Sequence, residues 1–80
     1  MKMNTVESST LAAIGYDDAG GILQLEFLSR ATYRYFDVPA AVHGGLVAAE
    51  SKGRYFNETI RGQYRYVSAA EKRGGEGGKA

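Results

Sequence analysis

The sequence predicts a small α+β domain, an antiparallel β-meander with one or two helices packed on one face. The chain has 80 residues, a length that suits one domain. Residues 22–28 alternate apolar and polar side chains, and this period of two is typical of a strand with one buried face. Residues 38–49 instead carry apolar side chains at helical spacing, which indicates a helix.

The first strand is predicted at residues 11–16, where an apolar run ends in Asp17-Asp18 and paired glycines. Those residue types supply the local hydrogen bonds and the positive φ that a tight reversal needs. The second strand follows at residues 22–28, with its odd-numbered apolar residues on the buried face. The third strand, at residues 31–36, is rich in β-branched and aromatic side chains.

The register between the second and third strands follows from the position of Arg34. A two-residue loop would turn Arg34 onto the apolar face, where an unpaired guanidinium is costly. A three-residue loop at residues 28–30 turns that side chain outward and pairs Leu25 with Tyr33. Such a loop requires the left-handed conformation at Arg30, which costs about 1 kcal/mol for a residue other than glycine.

The helical part of the chain follows the third strand. Pro39 marks the start of a helix, because its fixed φ suits the first helical turn. The apolar stripe of this helix includes Leu46, and Gly53 is its predicted stop. Apolar residues within 55–60 recur at spacings of four and five, which indicates a further short helical turn. Residues 64–67 are predicted to be either a last strand or an extended segment.

The foldable part of the chain is predicted to be residues 9–67. Its expected buried residues are Ile14, Leu23, Leu25, Phe27, Tyr33, Tyr35, Val38, Val42, Leu46, Phe56 and Ile60. Residues 1–8 are predicted to be a flexible N-terminal tail, and residues 68–80 a flexible, glycine-rich C-terminal tail. The N-terminal segment carries scattered polar groups with no sustained period, and the C-terminal segment has too little apolar surface to offset the roughly 1–2 kcal/mol per residue that backbone ordering costs.

The composition argues against an enzyme. No cysteine is present, which excludes disulfides and thiolate-bound zinc, and His43 is the only histidine. Asp17-Asp18 has no partner carboxylate at a known distance, so we interpret it as turn-forming. A hydrolase would need Asp17, Asp37 or Glu58 beside His43 in a cleft. We therefore predict no catalytic residue, no metal site and no cofactor.

The sequence also bears on membranes and location. No apolar run approaches the roughly 18 residues that a membrane span needs, and the N-terminus lacks the apolar block of a signal peptide. The net charge of +1 gives no large field that would recruit a membrane surface. We expect a soluble, cytoplasmic protein that is a monomer and has no membrane partner.

Positive charge is concentrated in the second half of the chain. Residues 1–29 hold one lysine and four acidic residues, whereas residues 30–66 hold six basic and three acidic residues among several aromatic ones. Arginine binds phosphate bidentately, and aromatic rings stack on unpaired bases. The candidate nucleic-acid contacts are Arg34, Lys52, Arg54, Arg61 and Arg65 for phosphates, with Tyr55 and Tyr66 for stacking. The alternative interpretation is an aromatic core with the basic residues on solvated faces of the same elements.

Three segments in this order carry a family resemblance: Ile14-Gly15-Tyr16-Asp17, Tyr33-x-Tyr35-x-x-Val38-Pro39 and Ser51-x-Gly53-x-Tyr55-Phe56-Asn57. The chain resembles the KTSC domain, which is named for its occurrence at the C-terminus of some lysyl-tRNA synthetases. That domain also occurs as a free-standing bacterial or phage protein. The resemblance implies a compact single domain, with RNA (tRNA or single-stranded) as the implied partner. In the hairpin loop this chain has Arg30 where the family pattern favours glycine.

Two functional hypotheses follow from the residues and the resemblance. The first is a small non-enzymatic binding domain that contacts RNA or single-stranded nucleic acid through a rim of basic residues. The alternative is a protein–protein interaction module, because the near-zero net charge and the open edges of a meander suit recognition of a protein partner through a strand edge.

Overall fold

The computed structural model describes residues 2–69. Within them, five strands form one antiparallel sheet whose spatial order is the order along the chain. The strands are β1 (Met3–Thr5), β2 (Leu11–Asp17), β3 (Ile22–Phe27), β4 (Thr32–Tyr35) and β5 (Tyr66–Ser68). Between β4 and β5 lie α1 (Ala40–Ala48) and α2 (Lys52–Tyr55), which continues as a π-helical segment (Phe56–Ile60). The predicted α+β class and the antiparallel meander are confirmed.

The β3–β4 hairpin has the predicted register. Leu25 pairs with Tyr33, and the N–H of Phe27 donates to the carbonyl of Ala31 at 2.8 Å. The loop therefore has three residues. Arg30 adopts a φ of 80°, which is the left-handed conformation that this loop was expected to require.

Strand β2 contains a bulge that the alternation of side chains does not predict. Its pairing with β3 shifts between Leu11 and Ala13, so one extra residue is inserted there. Leu11 and Ile14 consequently share the buried face, with exposures of 0% and 1%. The sequence pattern did not predict Leu11 in the core, because simple alternation places residues 11 and 14 on opposite faces.

The core lies between the sheet and the helical elements. All of the residues predicted to be mostly buried are buried except Phe27, Tyr33 and Val42, which are half-buried and pack against the same cluster. Ala13 and Ala69 are buried as well. The odd-numbered positions of β3 and β4 thus face the helices, as the predicted register requires.

The second helix begins where the first was predicted to stop. Helix α1 ends at Ala48, and Ser51 caps α2 by accepting a hydrogen bond from the N–H of Arg54 at 3.3 Å. Gly53 is therefore inside α2 rather than at the end of α1. A Cβ at this position would overlap the hydroxyl of Thr10 and lie 3.1 Å from its Cβ, so close packing explains the glycine.

None of the helices within residues 2–69 has the length and apolar content that a membrane span requires.

Both ends of the described chain take part in the sheet. Residues 1–8, predicted as a flexible tail, include the edge strand β1, whose side chains are half-buried or exposed. Backbone pairing with β2 holds this strand, and a side-chain pattern does not reveal such pairing. At the other end Ser68 belongs to β5, and the N–H of Ala69 donates to the carbonyl of Thr32 at 2.8 Å. The rest of the predicted C-terminal tail, residues 70–80, lies outside the described residues.

Candidate functional site

The two faces of the sheet carry different side chains. The helical elements cover one face, and Arg34 lies on the opposite, open face, where it pairs with Gln24 across β3 and β4. Its Nε and Nη2 donate to Oε1 of Gln24 at 3.1 and 2.9 Å. Arg34 is therefore held by a neutral amide, on the side of the sheet away from the helices.

On the helix-covered face, the sheet and the π-helical segment enclose a cleft. Its volume is about 280 Å³, close to the roughly 300 Å³ at which small-molecule sites begin. The cleft is lined by residues of three strands, the π-helical segment and the turn that follows it: Phe27, Tyr33, Tyr35, Phe56, Arg61, Gly62 and Tyr66.

The π-helical segment places Arg61 beside this cleft. The N–H of Arg61 donates to the carbonyl of Phe56 at 2.8 Å, which is the i to i+5 bond of a π turn, a feature frequent at functional sites. Gly62 then adopts a φ of 78°, a conformation that glycine tolerates without steric cost. The chain reverses into β5, where Tyr66 pairs with Tyr35. This local geometry brings Arg61 and Tyr66 to the same cleft.

Five aromatic side chains form a closed circuit around the cleft, which we call the aromatic cage: Phe27, Tyr33, Tyr66, Tyr35 and Phe56. Each ring contacts the next in that order, with centroid separations of 5.8, 5.5, 5.4 and 5.9 Å, and Phe56 closes the circuit to Phe27 at 5.3 Å. Four of the contacts are edge-to-face, an arrangement that contributes about 0.5–1.5 kcal/mol per pair beyond area burial. The five rings of the cage therefore stabilise one another by direct contact.

Tyr35 is the buried phenol of the cage, with an exposure of 4%. Burial raises the pKa of its hydroxyl to about 12, with smaller raising contributions from Tyr66 and Tyr33 and a lowering one from Arg61. The hydroxyl is therefore neutral at physiological pH and able to donate a hydrogen bond. Among residues 2–69 its side-chain contacts are with rings, and none of these residues forms a hydrogen bond with the hydroxyl.

The guanidinium of Arg61 is exposed and weakly engaged. Its Nη1 lies 3.5 Å from Oδ1 of Asn57, at the outer limit of a hydrogen bond. Within the described residues, the ion pair that forms involves a different arginine, and no carboxylate pairs with Arg61. A guanidinium in this state, beside an apolar wall, is available to a phosphate or a carboxylate of a ligand.

Three other predicted phosphate contacts have partners within the chain. Lys52 Nζ donates to the carbonyl of Ala49 at 3.0 Å, just beyond the end of α1, where the helix dipole favours a cation. Arg54 Nε lies 3.4 Å from Oε2 of Glu58. Arg65 lies over a phenylalanine ring, with 5.1 Å between its Cζ and the ring centroid. Each of these side chains therefore has a partner within the domain.

The basic residues expected to form one rim do not all lie on one face of the domain. Arg34 is on the opposite face of the sheet from the cleft. Tyr55, a predicted stacking residue, is half-buried with its ring packed onto Gly45 of α1. Of the residues predicted to contact nucleic acid, Arg61 and Tyr66 line the cleft.

The cage is not predicted by the sequence, because hydrophobic patterning assigns four of its members to the core. Phe27 and Tyr33 are instead half-buried, and Tyr66 is 55% exposed. Tyr33 and Tyr35 carried a usable signal. Each places a phenol on the predicted apolar face, where its hydroxyl group needs a hydrogen-bond partner or contact with water.

The one histidine of the chain, His43, takes part in packing. The ring of His43 stacks on Tyr16, with 4.6 Å between centroids and 10° between planes. The hydroxyl of Tyr16 in turn donates to the carbonyl of Val38. Within residues 2–69, no group of three His, Cys, Asp or Glu side chains is arranged to hold a metal ion.

Comparisons with known proteins identify relatives over most of the chain. The family model of the KTSC domain matches residues 7–64. A protein from Tsukamurella paurometabola is 47% identical over 66 residues, which cover 82% of this chain and 98% of that protein. An uncharacterized protein from Stutzerimonas stutzeri is 46% identical over 67 residues, covering 82% of this chain and 94% of that protein.

A larger protein and a solved structure share the same segment. Lysine–tRNA ligase from Nostoc sp. is 43% identical over 60 residues, which cover 75% of this chain but 11% of the ligase. The crystal structure of a KTSC domain protein from Yersinia pestis is similar with a TM-score of 0.83 and 34% identity. That similarity covers 85% of this chain and 96% of the Yersinia chain.

Proposed function

The chain belongs to the KTSC domain family, and we propose that it is a small, non-enzymatic binding domain for single-stranded nucleic acid, RNA in particular. The observation that supports the proposal is the aromatic cage, a closed circuit of rings around a cleft with Arg61 beside it. Aromatic rings stack on unpaired bases, and a guanidinium binds phosphate. A cleft that offers both suits one nucleotide of an unpaired strand.

The charge of the cleft favours a nucleotide over a cationic ligand. Aromatic cages also bind quaternary ammonium groups, because the ring faces attract a cation. Here Arg61 is the charged residue among those that line the cleft, and its positive charge repels such a ligand. A flat ring that carries an anionic group is attracted by both the cage and the guanidinium.

Similarity to lysine–tRNA ligases supports RNA as the nucleic acid. The matched segment makes up 11% of the Nostoc protein, which is named for tRNA. In this proposal the partner is a tRNA or another RNA with unpaired nucleotides. In this proposal the protein acts as a monomer, because one chain supplies the whole cleft. Its proposed location is the cytoplasm.

Two of the residues predicted to contact nucleic acid are retained here, one for phosphate and one for stacking. Arg61 is assigned to a phosphate of the ligand, and Tyr66 to stacking on its base. The remaining predicted contacts have partners within the domain and are not assigned to the ligand: Arg34, Lys52, Arg54, Tyr55 and Arg65.

The test is a chemical-shift titration of the ¹⁵N-labelled protein with oligouridine of about eight nucleotides. Shifts are expected around the cleft and not at Arg34 on the open face. Arg61→Gln should weaken binding about tenfold, because a hydrogen bond to a charged group contributes about 1.5–3 kcal/mol. Arg54→Gln is the matched control, since it removes an exposed arginine of α2 that already has a partner, and it should leave binding unchanged.

Two results would contradict the proposal. One is an absence of shifts around the cleft at millimolar oligouridine. The other is a set of shifts along β1 or β5 that depend on protein concentration and not on RNA. These strands are the open edges of the sheet, so the second result would instead favour the protein-interaction module.

A further inference from the structure

Two tyrosines of the core differ in what their hydroxyl groups contact. The hydroxyl of Tyr16 donates to the carbonyl of Val38. Tyr35 is buried, with 4% exposed, and its ring contacts Phe56 and Tyr66, yet no residue among 2–69 forms a hydrogen bond with its hydroxyl. Buried polar groups in proteins nearly always have a partner, so this hydroxyl requires an explanation.

Tyr35 lines the cleft, and its hydroxyl is the group without a hydrogen-bond partner among residues 2–69. The charged and titratable groups that act on it are Tyr66 from β5, Tyr33 from its own strand and Arg61 from the turn after the π-helical segment. All three line the cleft together with Tyr35 itself. A ligand that occupies the cage is therefore within reach of this hydroxyl, which remains neutral and can donate.

Leaving a buried donor without an acceptor costs free energy, and a ligand that supplies the acceptor recovers it. A site built in this way discriminates strongly against an analogue that lacks the acceptor, because the buried group is then left unpaired. A nucleobase carries ring nitrogens and carbonyl oxygens at its edge, whereas the ring of a phenylalanine side chain has neither.

We infer that Tyr35 is the specificity-determining residue of the cleft, and that its hydroxyl donates a hydrogen bond to a ring nitrogen or carbonyl oxygen of a single captured nucleobase. The inference rests on the proposed function and deepens it, because it distinguishes a nucleobase from the aromatic side chain of a protein partner. A cavity of about 280 Å³ is at the lower end of small-molecule sites. The ligand unit is accordingly one nucleotide rather than a run of stacked bases.

Uridine 5′-monophosphate (UMP) and phenyl phosphate are suitable probes. Each carries one planar ring and one phosphate, but only uracil offers acceptors to Tyr35. The wild-type protein should bind UMP more tightly than phenyl phosphate in a chemical-shift titration. Tyr35→Phe should weaken UMP about threefold to tenfold, as expected for one neutral hydrogen bond, and leave phenyl phosphate unchanged.

Tyr64→Phe is the matched control, because it removes the hydroxyl of a half-buried tyrosine that packs against the core and is not among the residues that line the cleft. It should change UMP binding less than about twofold, since its hydroxyl lies outside the site. The melting temperature of Tyr35→Phe should equal or exceed that of the wild type, because the variant loses no hydrogen bond to residues 2–69. The preference of the wild-type protein for UMP is a readout that does not depend on any variant.

Equal binding of UMP by Tyr35→Phe and the wild type would overturn the inference, and so would a wild-type protein that does not prefer UMP. Either result leaves the proposed function standing if oligouridine still binds in a manner that depends on Arg61. If neither UMP nor oligouridine binds at the cleft, both proposals fail.

Discussion

Arg34 and Arg61 lie on opposite faces of the same sheet. Arg34 binds the amide of Gln24 on the open face, whereas Arg61 lies beside the cleft on the helix-covered face, next to Tyr66. Arg34 lies within β4 and Arg61 lies in the turn before β5, and the sheet separates the two side chains. Under the proposed function, a strand of RNA at the cleft therefore gains one basic contact and not the five that a continuous rim would supply.

The salt dependence of RNA binding should report this single contact. For one phosphate on a single strand, the logarithm of the affinity should fall with the logarithm of the salt concentration with a slope of about −0.7. Arg61→Gln should bring the slope near zero, and Arg34→Gln should leave it unchanged. Fluorescence anisotropy of a labelled oligouridine over a salt series measures this slope. A slope of about −3 or steeper would mean that several phosphates are engaged and would restore the basic rim.

Replacing Arg30 with glycine should stabilise the protein by up to about 1 kcal/mol. Arg30 holds a φ of 80° in the β3–β4 loop, and glycine adopts this conformation without the steric cost that other residues incur. The free energy of unfolding in urea measures the effect. Arg30→Ala is the control, because alanine keeps the steric cost and removes only the charge, and it should give no gain. Equal stabilisation by alanine and glycine would assign the effect to charge.

Two adjacent glycines of α1 should respond to alanine in opposite directions. A Cβ at Gly44 meets nothing within 4 Å, so Gly44→Ala should stabilise the protein by about 1 kcal/mol through helix propensity. A Cβ at Gly45 would overlap the hydroxyl of Tyr55 and lie 2.7 Å from its Cζ. Gly45→Ala should therefore destabilise by about 1–3 kcal/mol, as overpacking does.

Thermal or urea unfolding of the two glycine variants measures the difference, and each variant is the control for the other. The same type of substitution is made one residue apart in the same helix, so helix propensity cancels between them. Stabilisation by both variants would show that the ring of Tyr55 moves aside without cost, and that α1 and α2 are not locked together at this contact.

Alternating side chains predicted the β3–β4 hairpin because only one register keeps the guanidinium of Arg34 in water while Tyr33 packs inward. The same logic did not predict the bulge after Leu11, since an inserted residue has no chemical signature in the sequence. Strand β1 was also missed, because backbone pairing rather than an apolar face holds it. The cap at Ser51 is a local signal, but Gly53 was taken as a helix stop when its role is close packing against Thr10.

The cleft was harder to predict than the fold. Arg61 and Tyr66 were both predicted as contacts, but they meet only because Gly62 reverses the chain and β5 then pairs with β4. The cage draws its rings from positions as far apart as Phe27 and Tyr66. Hydrophobic patterning assigns such rings to the core, because it cannot distinguish a packed ring from one that lines an opening at the edge of the core.

The stability of the protein should fall between pH 10 and pH 12 because of Tyr35. In the unfolded chain this phenol loses its proton near pH 10, whereas in the folded protein burial holds its pKa at about 12. Over this interval the unfolded state binds fewer protons than the folded state, so the free energy of unfolding decreases as pH rises. Below pH 10 both states are protonated and the contribution of Tyr35 is constant.

Urea unfolding of the wild type and of Tyr35→Phe over this pH range isolates the effect. Other groups titrate in the same range, but they are common to both proteins, so the difference between the two curves reports Tyr35 alone. The wild type should lose stability relative to the variant as pH rises above 10. A constant difference would show that the phenolate is solvated in the folded state, and the hydroxyl would then have no need of an acceptor from a ligand.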